Sequence, residues 1–430
     1  MALLLSVGTI MGQEVDKAAL KQAQKEAKAQ MAEAQKLDEA ITAKINEKTA
    51  TDEEIISECK KGQALIRKAI KSGAIAENKL GEAYKIYADL TQFPNNALLN
   101  LSQGQQPFDT AFFFSNLKAL TTALQGEIKH TKVTKGEAGN EQYLKNKKHN
   151  LAQIANFYLY AAQLNSNSGK YDKALEAFEI AMNYKNRYPE VADQVKYQIA
   201  PEQIPYYAFH AAHEGKLYDK MEALFDQAML YTDNAEITKQ VMVESFRERG
   251  DTTAWANYIR EMTVKDPKAN ESYIQMLIGY YINKEKAAGA DSDLLIPYVN
   301  EIIAKDPNIL MAHYGKAHKL FNSDKYDEAF ENYLKCTEIK ADYYDAWYQC
   351  GLCKYRKALA LNETISKIKN QVEAKKALEK TKNLFGEAIP YFEKARDCAP
   401  DEPMKWAFEL RQCYSVTGQA EKAAEMDKLL

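Results

Sequence analysis

Apolar residues recur at three- and four-residue spacing along nearly the whole chain, a pattern that predicts helices and no strands. From Glu14 onward Leu20, Ala23, Ala27, Met31, Ala34, Leu37, Ile41 and Ile45 form one narrow stripe. Residues 14–50 therefore read as a single long helix rich in Ala, Lys, Gln and Glu. Its apolar residues are few and small, so loose docking is expected. Thr51-Asp52-Glu53-Glu54 has the composition of an N-cap for a second helix running to Ser72-Gly73. A third helix puts Ala83, Tyr87 and Leu90 on one face. It should stop near Phe93-Pro94, because proline removes a helical donor, leaving 95–107 as loop. Ala111-Phe112-Phe113-Phe114, with Leu117 and Leu120, marks a fourth, buried helix. The polar, glycine-bearing stretch 130–140 suggests a soft boundary between a helical region, 51–140, and a more regular one, 141–430.

Beyond Glu141 one offset repeats: a register residue, a second apolar residue four later and a third seven later. Ala329, Tyr333 and Cys336 set the pattern, and Ala388, Phe392 and Ala395 copy it. The register falls at Ala174, Met221, Trp255, Leu295, Ala329 and Ala388, with separations of 47, 34, 40, 34 and 59 residues. Each is a 34-residue period alone or with an insertion of 13, 6 or 25. Pro267, Pro307 and Pro400 lie 12 residues after a register position, where the second helix of a pair must stop. Gly169 and Gly250 lie five before it, in the turn between helices; Gly215 lies six before and misses the register. The longest insertion, about 358–382, is rich in Lys and Glu, with Ile365, Ile368, Val372 and Leu378 at near-helical spacing. It predicts extra turns on both helices of one pair, protruding from the array.

Trp347-x2-Cys350-Gly351, 18 residues after Ala329, follows the pattern W-x2-L-G, and Trp406 stands 18 after Ala388. On these residues the segment 150–430 resembles the tetratricopeptide-repeat (TPR) family, and among its members the exported bacterial ones. Residues 50–149 resemble it weakly and 1–49 not at all. The resemblance implies an all-α, right-handed superhelical solenoid of antiparallel helix pairs. It further implies a concave groove, lined from the first helix of each pair, that holds another protein or an extended peptide. Carried onto this chain, the groove positions are Tyr281, then Met311, Tyr314, His318 and Phe321. Tyr348, Leu352 and Tyr355 follow, and Met404, Arg411 and Tyr414 close the series. Such a groove would be aromatic and mostly uncharged, suited to apolar or extended segments. On spacing alone the same side chains equally serve as packing between neighbouring helices. Some members grip a C-terminal carboxylate with Lys and Asn. Here Tyr314, His318, Gln349, Met404 and Phe408 stand at the matching positions, so no such clamp is expected.

Composition narrows the reading further. A hydrophobic content of 46%, with only 11 Pro and 18 Gly, suits helices around a core. A net charge of −3 leaves no basic excess to neutralise phosphates, which removes nucleic acid as a partner. No run reaches the roughly 20 apolar residues of a membrane span. Residues 1–13 carry no charge and contain Ala2-Leu3-Leu4-Leu5, Gly8 and Gly12. They look like the apolar and cleavage parts of a secretory signal, although no basic leader precedes them. The expectation is export to the periplasm, released or peripherally associated with the envelope; the alternative is a cytoplasmic protein with an apolar tail. Of the six cysteines, Cys350 and Cys353 form a CxxC without the second pair a zinc site needs or the strand–helix context of a redox motif. They read as small buried hydrophobes, while a Cys336–Cys350 bridge stays open for an exported protein.

Catalytic chemistry finds little footing. His210 and His213 share a helix face at a spacing that can chelate zinc, but no third ligand accompanies them. His313 and His318 diverge by about 140° around a helix, which rules out joint ligation. Neither a Gly-rich phosphate loop nor a nucleophile elbow occurs. The expected function is a non-catalytic protein–protein interaction scaffold with no cofactor and no metal. The alternative is a carbohydrate- or nutrient-capturing protein on the same scaffold. Capture would gather the tyrosines into a discrete pocket, whereas the scaffold would spread them along a continuous groove.

Overall fold

A computed structural model describes residues 10–104, 106–132, 138–289 and 293–430, and among these there are helices and no strand. Residues 1–9 of the apolar opening and 133–137 of the polar stretch lie outside the described residues. The chain divides into two compact units, Met1–Ser245 and Phe246–Leu430. The soft boundary expected at 130–140 thus falls inside the first unit. Among the described residues no helix is long and apolar enough to cross a membrane.

The first unit comprises α1 (Ile10–Asn46), α2 (Asp52–Lys71), α3 (Glu77–Gln103), α4 (Thr110–His130), α5 (Ala138–Asn167) and α6 (Tyr171–Met182). The short α7 (Tyr184–Arg187) and a 3-10 turn (Pro189–Gln194) lead to α8 (Gln203–Glu214) and α9 (Tyr218–Ala228). The division between units passes through α10 (Ala235–Glu248). From α1 to α6 each helix packs on the next, and α6 packs on α8.

Helix α1 is better docked than its small side chains suggest. Ala27, Ala34 and Ile41, spaced seven apart, are fully buried, and α1 packs on both α2 and α3. Small residues along one seam let a neighbouring backbone approach closely, so a narrow stripe still buries well. Only Leu20 of the stripe is exposed. Thr51 caps α2 as its sequence predicts, its hydroxyl accepting from the Glu54 N–H at 3.2 Å.

Helix α3 does not stop at Pro94; it continues to Gln103, so most of 95–107 is helix and not loop. Pro94 has no N–H to offer the carbonyl of Leu90, one turn earlier. That carbonyl accepts instead from the Gln63 side-chain amide of α2 at 2.8 Å. The next carbonyl, of Thr91, accepts from Asn116 of α4 at 2.7 Å, and Gln63 also donates to Asn116 at 2.9 Å. Neighbouring helices thus supply the donor that proline removes.

In the second unit α11 (Thr252–Lys265), α12 (Glu271–Ala288), α13 (Leu295–Lys305), α14 (Leu310–Asn322) and α15 (Tyr326–Ile339) follow in sequence. Then come α16 (Tyr344–Ile365), α17 (Gln371–Cys398), α18 (Ala407–Thr417) and α19 (Ala420–Asp427). Consecutive helices pair as hairpins, with α12 also packing on α14 and α11 on α13. Register residues Ala174, Met221, Leu295, Ala329 and Ala388 are all fully buried; Trp255 is half-buried. The turn five residues before the register is left-handed in every case where the register residue stands three into its helix. Gly169, Lys216, Gly250 and Asp324 have φ of +69°, +55°, +69° and +59°. Gly418 repeats this before Ala423, with φ +83°. Gly215, out of register by one, is required for another reason, since a Cβ there would lie 2.6 Å from that of Tyr171.

Asp266, Asp306 and Ala399, each directly before a proline, cap α11, α13 and α17. The 358–382 insertion adds turns to both α16 and α17, with Val372 and Leu378 exposed. Trp347 and Trp406 act alike in successive hairpins. Each indole N–H donates into the preceding inter-hairpin turn, to Ala341 O at 2.8 Å and Ala399 O at 2.9 Å. All six cysteines are free thiols, so Cys336 and Cys350 are not bridged. Cys336 and Cys353 are buried among apolar groups, and burial pushes each thiol up to about 12.

Candidate functional site

The eleven positions that the repeat pattern assigns to a groove all lie in the second unit, and they separate into a buried, a half-buried and an exposed set. Tyr355 is 7% exposed and Tyr414 1%, both within the core between α16, α17 and α18. Tyr355 donates to Gln412, and Tyr414 donates to Glu393 at 2.6 Å. Neither presents a free surface, which corrects their assignment to a groove. They are packing residues whose hydroxyls are already satisfied.

Of the other nine, Met404 is exposed and eight are half-buried. Tyr281 of α12 lies edge-on to Tyr298, with ring centroids 5.5 Å apart. On α14 Met311, Tyr314, His318 and Phe321 project from successive turns. Tyr314 sits between Tyr333 (5.4 Å) and Tyr343 (5.7 Å), and Phe321 meets Tyr326 at 5.3 Å. Burial raises the Tyr314 phenol, aided by Tyr343 and Asp345, and it lowers His318, which Lys286 also disfavours as a cation. The His318 ring is therefore neutral, with Asn322 3.2 Å away. Its neighbour His313 is buried and bonded to Pro307 O at 3.0 Å, a structural role.

On α16 Tyr348 stacks on Tyr344, centroids 5.7 Å apart with planes 15° from parallel. Burial and the nearby Glu409 carboxylate raise the Tyr348 phenol. Tyr344 donates to Lys405 O at 2.6 Å, tying α16 to the turn before α18. Arg411 is engaged by Asp427 at 2.8 Å, so its charge is balanced within the fold.

Helix α14 is fixed to α12 by a shared carboxylate. Glu285 accepts from the Leu294 and Leu295 N–H groups at 2.7 and 2.9 Å, capping α13, and pairs with Lys319 at 2.8 Å. Burial opposes its charge, but Lys319 and the two amides prevail and hold it below the usual carboxylate range.

Met404, one of the groove positions, and Phe408 are the most open apolar groups here. Met404 is 74% exposed and Phe408 50%, on either side of the Lys405 that Tyr344 engages. In the sequence they flank Trp406, two residues to either side of it.

Away from this face, His210 and His213 lie on α8 of the first unit. Among the described residues no three of His, Cys, Asp and Glu converge as a cation site would require. His210 instead borders a cavity of about 610 Å³ formed by α5, α6 and α8. Periodicity could not reveal this cavity, because its walls come from three helices and a loop.

No family model matches the chain, and no curated relative does. Solved structures similar to it include a monomeric mutant of IFIT1 with Gppp-AAAA, 15% identical over 83% of this chain and 74% of that one, TM-score 0.33. Another is the APC/C hetero-tetramer Cut9–Hcn1, 12% identical over 86% and 83%, TM-score 0.21. Scores this low carry no argument. The class follows from the chain's own hairpins: it is an all-α, tetratricopeptide-like helical-repeat protein.

Proposed function

We propose that the protein is a non-catalytic scaffold that holds an extended segment of a partner protein on the first-helix face of its second unit. One observation carries this reading: Met404 and Phe408 are exposed on either side of Lys405, whose carbonyl Tyr344 engages, Tyr344 stacks on the half-open Tyr348, and Tyr343 beside Tyr314 extends the series. Aromatic rings offer large contact area at low entropic cost, and phenol hydroxyls can meet the backbone groups of an extended chain. Arg411 is paired with Asp427 and Lys405 with Glu402, so these two cations of the face are balanced within the fold. That favours an apolar or aromatic segment over a charged one.

The test is selection of displayed random peptides on the full chain, followed by binding to a Tyr348→Ala/Phe408→Ala variant. The reading expects enriched peptides with aromatic or aliphatic anchors, bound at least about tenfold more weakly by the variant. Peptides that bind the variant equally well would overturn it.

A further inference from the structure

The first unit holds a second feature, independent of the partner face. Between α5, α6 and α8 lies the cavity of about 610 Å³, within the range of small-ligand sites. One wall is deliberately fixed. The Asn156 amide donates to Lys196 O and accepts from Gln198 N, both at 2.9 Å, and Tyr197 donates to Ala181 O at 2.5 Å. These bonds pin the loop before α8 against α5 and α6, so that Gln198 lines the cavity.

The lining defines what could enter. No Lys or Arg contributes to it, and Glu214 is its only acidic residue, so phosphates and carboxylates find no counter-charge. Burial lowers His210 and the neighbouring His213 reinforces this, which leaves a neutral imidazole. Aromatic rings come from all three helices: Tyr160, Tyr171 and Tyr207. Tyr207 is 44% exposed, so its ring is not consumed by packing. The same cavity is lined by the amides of Gln163 and Gln198, each both donor and acceptor. Ser166 Oγ and His210 Nε2, both on lining residues, are enclosed without a hydrogen-bond partner, a cost that folding alone leaves uncompensated.

A lining that combines flat apolar faces with neutral donors and acceptors complements a molecule with C–H faces and a rim of hydroxyls. We infer that this cavity is a binding site for a short neutral saccharide. Sugar rings stack on the tyrosines, and the amides and His210 meet their hydroxyls. A charged ligand would be left unpaired, and a purely apolar one would strand the amides.

The experiment is calorimetry on the full chain with a panel of neutral trisaccharides: α- and β-glucan, mannan, xylan and chitin fragments. It is repeated with Tyr207→Ala and Gln163→Ala, whose folding is checked by circular dichroism. The expected result is saturable binding of at least one probe at or below about 1 mM, weakened about tenfold or more by each variant. Failure of every probe at about 10 mM would overturn the inference, as would a probe that binds both variants with unchanged affinity. A tripeptide such as Ala-Tyr-Leu displacing the saccharide at lower concentration would overturn the ligand class. None of these outcomes touches the aromatic face of the second unit.

Discussion

Phe392 of α17 lies directly against Gly351 of α16: a Cβ at Gly351 would sit 2.7 Å from the Phe392 ring. That approach gives the W-x2-L-G pattern its physical content, since the glycine of the first helix is the seat for the aromatic residue of the second. Gly351→Ala should therefore lower stability by about 1–3 kcal/mol through overpacking. Gly279, in α12 with nothing within 4 Å, is the control; Gly279→Ala should raise stability by roughly 0.5–1 kcal/mol. Urea unfolding of the two variants checks this, and effects of the same sign would contradict it.

Lys216 holds φ +55° at a turn position that Gly169 and Gly250 occupy in neighbouring hairpins. A left-handed backbone costs an L-residue with a β-carbon about 1–2 kcal/mol, part of which glycine returns as unfolded-state entropy. Lys216→Gly should raise the melting temperature and Gly250→Ala should lower it. A lower melting temperature for Lys216→Gly would mean the side chain contributes more than the strain removes.

Gln63 lets α3 run through Pro94. Gln63→Leu leaves the Leu90 carbonyl without its donor, and should cost about 1–3 kcal/mol. Amide hydrogen exchange should locate the loss in α3 after Pro94. An unchanged unfolding midpoint would show that the proline is accommodated by other means.

This is also where the sequence was least legible. Helices that depend on local signals, such as the Thr51 cap, the register residues and the Asp-Pro stops, could be read directly. So could the protruding α16–α17 pair. Helix α3 could not, because its continuity past Pro94 is decided by Gln63 and Asn116, 31 residues before and 22 after. The docking of α1 was hidden for a related reason: alanines at 27 and 34 look weak until a neighbouring helix closes on them. Within the candidate face, repeat register placed Tyr314 and Tyr348 on the half-open side. It could not separate these from Tyr355 and Tyr414, whose burial depends on how closely α16, α17, α18 and α19 pack together around them.

Asp38 of α1 makes the first unit sensitive to pH. Burial first, then the neighbouring Asp89 carboxylate, push its pKa from 3.8 up to about 7, with Glu39 adding to the rise and Lys85 and Lys147 opposing it. Lys147 is already shared between Glu127 at 3.2 Å and Asp89 at 3.8 Å, and Asp38 Oδ1 has no hydrogen-bond partner. A carboxyl group with a raised folded pKa binds more protons folded than unfolded. Its contribution to stability is fully present below the unfolded pKa and is lost as pH rises through about 7. Asp38→Asn should flatten the fall in stability between about pH 4 and 7 and be the more stable protein at about pH 8. Parallel urea-midpoint profiles for the two proteins would contradict the assignment.

The central claim is that the first-helix face of the second unit receives a partner chain. The most direct measurement is site-specific photocrosslinking in the native cell, with a photoreactive phenylalanine at Tyr348 or Phe408 and, as control, at Glu331, an exposed residue of the second helix α15. The account predicts a discrete covalent adduct with another protein from Tyr348 and Phe408 and none from Glu331. Adducts of equal yield from all three positions, or from Glu331 alone, would contradict it.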